Sequence, residues 1–367
     1  MIQRCKKLIA LLLIAALCHL GPVQVAEAFT IGEEREVGEK LLYSIRSSFE
    51  LIDDPDVVYY INQLGREVLD VAGIQFFDYR FFVINESEFN AFAAPSGLIF
   101  FHSGLISTMN SEDELVSVMA HEIGHIVKRH LASRIEKGKI VGMASLGMAL
   151  AALAFGSGAA VPTLMVGSMA AGQSATLHFS RQDEEEADLL AYDWMKKMER
   201  NPVGQEKMLQ TMRRITRYRS EKLPQYLLTH PDSEARLDYV QSLLENEKQV
   251  VESKAPRDEF EFLRFKYRVM SLVKDKTTFR TYLAGIMSNS QSTPLAVNMA
   301  KYGMSQIDRQ ENTFDSSLKL LDEVIAAYPE QTILQIDRAV VQLAAGKVKE
   351  ASSALQTVLQ KDKNNVY

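Results

Sequence analysis

The run His121-Glu122-Ile123-Gly124-His125 restricts this chain more than any other feature. Two imidazoles four residues apart project from one face of a helix, about a turn from each other. That spacing suits closure on a single tetrahedral Zn²⁺. Glu122 sits beside them, placed to take a proton from water that such a metal acidifies. The apolar neighbours Val118, Met119, Ile123 and Ile126 put the helix in a core, where unpaired ionisable groups are costly. A buried His–Glu–His cluster is hard to satisfy there without a cation. Ser111 and Glu114 match the capping box S-x-x-E ahead of Val116, Val118 and Met119, so the helix is expected to start there and run to about Lys137.

A hydrolytic zinc site needs a third protein ligand and one open position. Cysteine is excluded from the set by the leader. Arg4, Lys6 and Lys7 precede the apolar run Leu8 to Leu17, and Ala26-Glu27-Ala28 follows as a small-x-small cleavage site. Residues 1–28 therefore read as a secretory signal peptide, with an uncleaved N-terminal anchor as the alternative. Both cysteines, Cys5 and Cys18, lie in this leader, and a lipidated Cys18 is disfavoured by the bulky Leu17 before it. The secreted chain then has no disulfide and no thiol nucleophile. Losing three basic residues and one acidic residue moves the formal charge from −6 to −8, which does not favour nucleic acid or anionic lipid as a partner. The third ligand must be a histidine or a carboxylate. The acidic run Asp183-Glu184-Glu185-Glu186 offers candidates, in the first turn of a helix expected from about Arg181 to Arg200.

Elsewhere, residues 30–75 read as helix. Tyr79 to Ile84 and Leu98 to His102 read as strands of a small antiparallel sheet. Residues 139–179 are rich in Ala, Gly, Met and Leu. They fit either a buried helical hairpin or one embedded in or skimming a membrane, neither half reaching a comfortable span of ~20 residues. Helices are expected at about 203–218 and 233–248, then a linker around Pro256. Beyond about 260 everything reads as helix. Leu320–Ile325 aligns with Ala354–Leu359 at an offset of 34, the tetratricopeptide period, with Tyr302-Gly303 and Ala344 to Gly346 where first helices of such repeats end.

At Ser180-Arg181-Gln182-Asp183-Glu184-Glu185-Glu186-Ala187-Asp188 the chain resembles the HtpX/BepA-like, CAAX-prenyl-protease-type zinc metallopeptidases, whose pattern is S-R-x-x-E-x-x-A-D. Anchored on Ala187-Asp188, the resemblance implies Glu184 as the third ligand. It implies Asp188, one turn later, as the carboxylate that orients a ligand imidazole. Asn90-Ala91-Phe92-Ala93-Ala94-Pro95-Ser96-Gly97 is similar to the family's N-A-F-A-x-P-G-G strand beside the cleft, with Ser96 for the commoner Gly. Asn90, Phe92, Pro95 and Gly97 would mark an edge strand that pairs with extended substrate. Thr229-His230-Pro231 and Arg236-Leu237 resemble the T-H-P…R-L segment. This implies that His230 either fills the fourth position on the metal and holds the enzyme shut or stabilises the oxyanion, with Arg236 ordering the site or substrate. His130 also recurs in the family. Five residues past His125, it is rotated off the metal-facing side and reads as structural, as do His102 and His178.

The expected architecture is mostly α (α+β). A signal peptide (1–28) precedes a zincin-like metallopeptidase domain with a small antiparallel sheet (29–252) and an all-α tetratricopeptide-like repeat domain (260–367). The expected function is periplasmic zinc metalloendopeptidase, with one Zn²⁺ per chain, acting on misfolded or stalled envelope proteins. The repeats would meet substrates or outer-membrane assembly machinery, and 140–178 would supply any peripheral membrane contact. The rival reading is a chaperone or assembly adaptor whose protease site is silenced by His230.

Overall fold

A computed structural model describes residues 30–136, 179–218, 223–249, 257–273 and 275–361. The leader, His178 and the 140–178 segment lie outside the described residues. Thr30 opens helix α1 (Ile31–Ser48) with a capping box to Glu33. Asp54 caps α2 (Pro55–Ala72), with Pro55 in its first turn. The single helix expected over 30–75 is therefore two. Pro55 has no N–H for a helix interior, and the Asp54 carboxylate accepts from the N–H groups of Asp56 and Val57.

The sheet has strands β1 (Arg80–Ile84), β2 (Ala91–Ala94) and β3 (Leu98–His102) in the order β1-β3-β2. β2 and β3 form an antiparallel hairpin through a short 3₁₀ turn at Pro95–Gly97, where Ser96 and Gly97 have φ of 71° and 78°. β1 lies on the far side of β3 and parallel to it, with Phe82 opposite Phe100. The sheet is thus mixed rather than antiparallel, because residues 85–90 carry the chain across β3 before the hairpin begins. β2 is left as an edge.

After α3 (Ser103–Thr108) comes the motif helix α4 (Glu112–Val127), then α5 (His130–Glu136), α6 (Arg181–Lys197), α7 (Val203–Tyr218), α8 (Gln225–Thr229) and α9 (Ser233–Asn246). α4 is buried from Glu114 to His125 and packs against β2, α2, α6 and α7. Its axis does not continue to Lys137. It stops at Val127, and Arg129 turns the chain with a left-handed φ of 53°.

The rest is helical: α10 (Phe260–Leu272), α11 (Lys276–Ser288), α12 (Pro294–Gln310), α13 (Phe314–Ala327), α14 (Thr332–Ala344) and α15 (Val348–Lys361). Gly346 follows α14 at φ 75°, where a helix end wants glycine. Tyr302-Gly303, by contrast, sits inside α12. A side chain on Gly303 would meet Leu283 at 2.8 Å, so the glycine serves a close helix crossing and not a helix end. α10 faces two cores. Phe262, Phe265 and Val269 pack with the α2–α4 core, while Phe260 and Tyr267 pack with α12 to α14. No helix among the described residues is long and apolar enough to cross a membrane.

Candidate metal centre

Two helix starts aim the site. The Ser111 hydroxyl accepts from the Glu114 N–H and opens α4; the Glu114 carboxylate accepts from the N–H of Asn110. Ser180 and Asp183 form a capping box at the start of α6, which places Glu184 in its first turn and Asp188 one turn on. The helices touch through small residues. A Cβ on Gly124 would lie 3.3 Å from Ala187 Cα. Only that close approach lets a carboxylate of α6 reach both imidazoles of α4.

His121 Nε2 and His125 Nε2 are 3.0 Å apart. Glu184 Oε1 lies 3.4 Å from His125 Nε2, and Glu184 Oε2 lies 3.6 Å from His121 Nε2. His230, at the C-terminal end of α8, brings Nδ1 to 3.0 Å from Glu184 Oε1 and 3.3 Å from His121 Nε2. Four ligands on an ion with bonds of about 2.0 Å stand roughly 3.3 Å from one another in a tetrahedron. His121, His125, Glu184 and His230 could therefore hold one metal ion between them, and all four are buried. Glu122 adds an independent sign. It is 1% exposed, and neither of its oxygens has a hydrogen-bond partner among the described residues. His230 Nε2, at 3.6 Å, is its ion-pair neighbour. A buried carboxylate without a donor fits a site built around something more than these side chains.

Asp188 and Arg236 brace the cluster from behind. His121 Nδ1 is 2.9 Å from Asp188 Oδ1. Arg236 Nε and Nη2 donate to Asp188 Oδ2 and Oδ1 at 2.7 and 2.8 Å, and Nη1 pairs with Glu184 Oε2 at 2.6 Å. Burial alone would raise the Asp188 carboxyl, but Arg236 and His121 hold it down at about 2. Glu184 is likewise kept well below the usual range, with His230 and Arg236 outweighing its burial. Burial pushes His125 well below the usual imidazole value, against the pull of Glu184, which favours the neutral ring that a metal needs. His230 goes the other way: burial would lower it, but Glu184 and Glu122 raise it.

Phe179 stacks on His125, ring centroids 3.9 Å apart, and its N–H donates to Thr229 O at 3.1 Å. Tyr226 lies against His230 at 4.4 Å. Together they roof the cluster. β2 runs beside α4. Its Phe92 side chain stacks on Phe100 in the core, Asn90, Pro95 and Gly97 are buried, and the turn at 95–97 sets the strand's direction. These residues shape the edge strand β2 and its turn.

The resemblance left out Phe179, Tyr226 and Gln205, whose Nε2 donates to Asp188 O at 3.1 Å and Oδ1 at 3.2 Å. No motif marks them. Gln205 reaches Asp188 from another helix, and Phe179 is visible in the sequence only as the residue before a helix cap.

A model of peptidase family M48 matches residues 57–244, just over half of the chain. The chain belongs to peptidase family M48. As an M48 protein it is a zinc-dependent metalloendopeptidase that acts on protein substrates. A tetratricopeptide repeat model matches residues 309–367, so this M48 peptidase carries a protein-interaction module behind its catalytic part. The beta-barrel assembly-enhancing protease of Escherichia coli K12 is 29% identical over 92% of this chain and 70% of its own length. The metalloprotease LoiP of the same organism is 27% identical, over 42% of this chain and 58% of its own. A mitochondrial metalloendopeptidase of Schizosaccharomyces pombe is 26% identical over 50% of this chain and 52% of its own.

Proposed function

We propose that this M48 peptidase works in the periplasm on misfolded or stalled envelope proteins, with His121, His125 and Glu184 as its zinc ligands and Glu122 as general base. The observation that carries the residue assignment is the set of four ligand atoms at tetrahedral spacing beside an orphaned Glu122 carboxylate. When bound, zinc supplies Lewis-acid activation of water and of the scissile carbonyl. Glu122 takes the proton of the attacking water and delivers it to the leaving amine. Asp188 fixes the tautomer of His121, and Arg236 fixes Asp188. The β2 edge aligns extended peptide by main-chain pairing. His230 stands where the fourth position belongs, so turnover requires the end of α8 to withdraw. Once withdrawn, His230 can donate to the tetrahedral oxyanion, while Arg236 stays engaged with Asp188 and Glu184 and orders the site. The envelope setting rests on the leader-like N-terminus and on the names of the relatives. Outer-membrane assembly machinery, met through the repeats, is the partner class proposed with it.

The closed site also favours a second reading, an assembly adaptor whose peptidase is mostly silent. Casein and a denatured porin, incubated with wild type, Glu122→Gln and His230→Ala, separate the two. Faster chelator-sensitive cleavage by His230→Ala than by wild type, and none by Glu122→Gln, is expected. If His230→Ala cleaves no more than Glu122→Gln, the adaptor reading replaces this one. Metal analysis beside Glu184→Ala tests the ligand set: one zinc in the wild type, and little in the variant.

A further inference from the structure

On a straight helix His130 would stand about 140° around the axis from His125. The chain does not stay straight. α4 ends at Val127, Arg129 takes a left-handed φ of 53°, and His130 opens α5. The reversal is held from outside, because the Arg129 guanidinium donates through Nε to Glu34 of α1 at 3.1 Å. Its effect is to fold the His130 ring back onto His125. Their centroids are 5.0 Å apart at 72°, and the two Nδ1 atoms are 2.8 Å apart. His130 is 5% exposed, so this contact is made away from water.

We propose that His130 is a positioning residue for the metal centre: its Nδ1 accepts the Nδ1–H of His125 and so fixes the tautomer and orientation of that ligand. The inference rests on the reading of His125 as a ligand through Nε2. Two nitrogens 2.8 Å apart share one proton. A neutral imidazole that gives its Nε2 lone pair to a metal carries its proton on Nδ1. His130 must then be the acceptor, and its own proton sits on Nε2. That atom faces two carboxylates of α6, Glu186 Oε2 at 3.7 Å and Asp183 Oδ1 at 3.9 Å. At those distances the carboxylates are charge neighbours of Nε2 and not hydrogen-bond partners, and their charge favours the proton on that nitrogen. The two ligand imidazoles of α4 are thus braced differently: His121 by a carboxylate and His125 by a second imidazole.

The test compares zinc affinity, by competition with a chromophoric chelator, for the full-length wild type and for His130→Asn, His130→Gln and His130→Leu. Asn places an amide oxygen where Nδ1 was and keeps the acceptor. Gln reaches toward the Nε2 position and does not. The expected result is affinity within a few-fold of wild type for Asn, and a loss of about 10–100-fold for Gln and Leu, the usual effect of removing an outer partner of a ligand. Spectra of the cobalt-substituted proteins should group the same way. Melting of the zinc-free forms reports whether each variant folds. If Leu misfolds, the Asn–Gln contrast still decides. Equal affinity for Asn and Gln, or wild-type affinity for Leu, overturns the proposal. If His130→Leu binds like wild type while Glu184→Ala does not, only the His130 role falls. If wild type and Glu184→Ala bind zinc alike, the ligand set itself is wrong and the His130 role goes with it.

Discussion

Two buried ionic clusters in this molecule look alike and are not. At the junction of α2, α10 and α14, Arg264 and Arg268 meet Asp54, Asp56 and Asp337. Contacts there include Arg264 Nε to Asp337 Oδ2 at 2.8 Å and Arg268 Nη1 to Asp337 Oδ1 at 2.6 Å. Three carboxylates face two guanidinium groups, and Asp54 also takes the N–H groups that open α2. In the metal centre, three carboxylates (Glu122, Glu184 and Asp188) share one guanidinium, Arg236, which pairs with Glu184 and Asp188, while Glu122 has only His230 as its ion-pair neighbour among the described residues. The junction keeps an excess of about one negative charge, and each of its carboxylates meets a guanidinium. With its imidazoles neutral, as ligation requires, the centre carries an excess of about two negative charges, opposite in sign to the divalent ion it is proposed to hold. Burial of charge does not identify a functional site; burial of charge that the protein leaves unmatched does.

The two clusters part most sharply under substitution. Glu122→Gln keeps the metal ligands and should lower peptide hydrolysis by about 10²–10⁴-fold, with zinc content unchanged by metal analysis. Next in size is Arg264→Ala. It strips a buried partner from Asp56 and Asp337, with an expected cost of about 3–5 kcal/mol. Calorimetry should show the lower Tm while chelator competition shows wild-type zinc affinity; a weakened zinc site would make the two clusters one. His102 supplies an intermediate effect. It is buried without a hydrogen-bond partner among the described residues, and burial pushes it down from 6.5 to about 3. Its folded value lies below its unfolded one, so the unfolded chain takes the proton first and stability falls as pH drops below 6.5. The expected loss is about 2 kcal/mol between pH 6.5 and 5, and denaturation of His102→Phe should lack that slope. The smallest expected effect is that of Gln205→Leu. Asp188 keeps Arg236 and His121, so zinc affinity should fall by only about tenfold, the lower end for an outer partner.

Legibility in the sequence followed distance along the chain. The motif, its N-cap at Ser111 and the cap at Ser180 are local patterns, and the structure brings His121, His125, Glu184, Asp188, His230 and Arg236 into one cluster. The parallel pairing of β1 with β3 was hidden, because strand composition says nothing about which neighbour lies between. His130 was misplaced by an assumption of straightness: one left-handed residue, Arg129, undoes the helical arithmetic. The Arg264–Asp337 pair joins residues 73 apart with no periodic signal.

Helix α10 carries a practical consequence. Its Phe262, Phe265 and Val269 fill the peptidase core, its Phe260 and Tyr267 fill the repeat core, and its Lys266 donates to Met109 O at 2.6 Å. A fragment ended before Phe260 would carry an open greasy slot along α2 and α3, and the severed repeats would lose their first wall. The two halves share a keystone, so dissecting the protein for study calls for a cut beyond Leu272, with the keystone left on the peptidase.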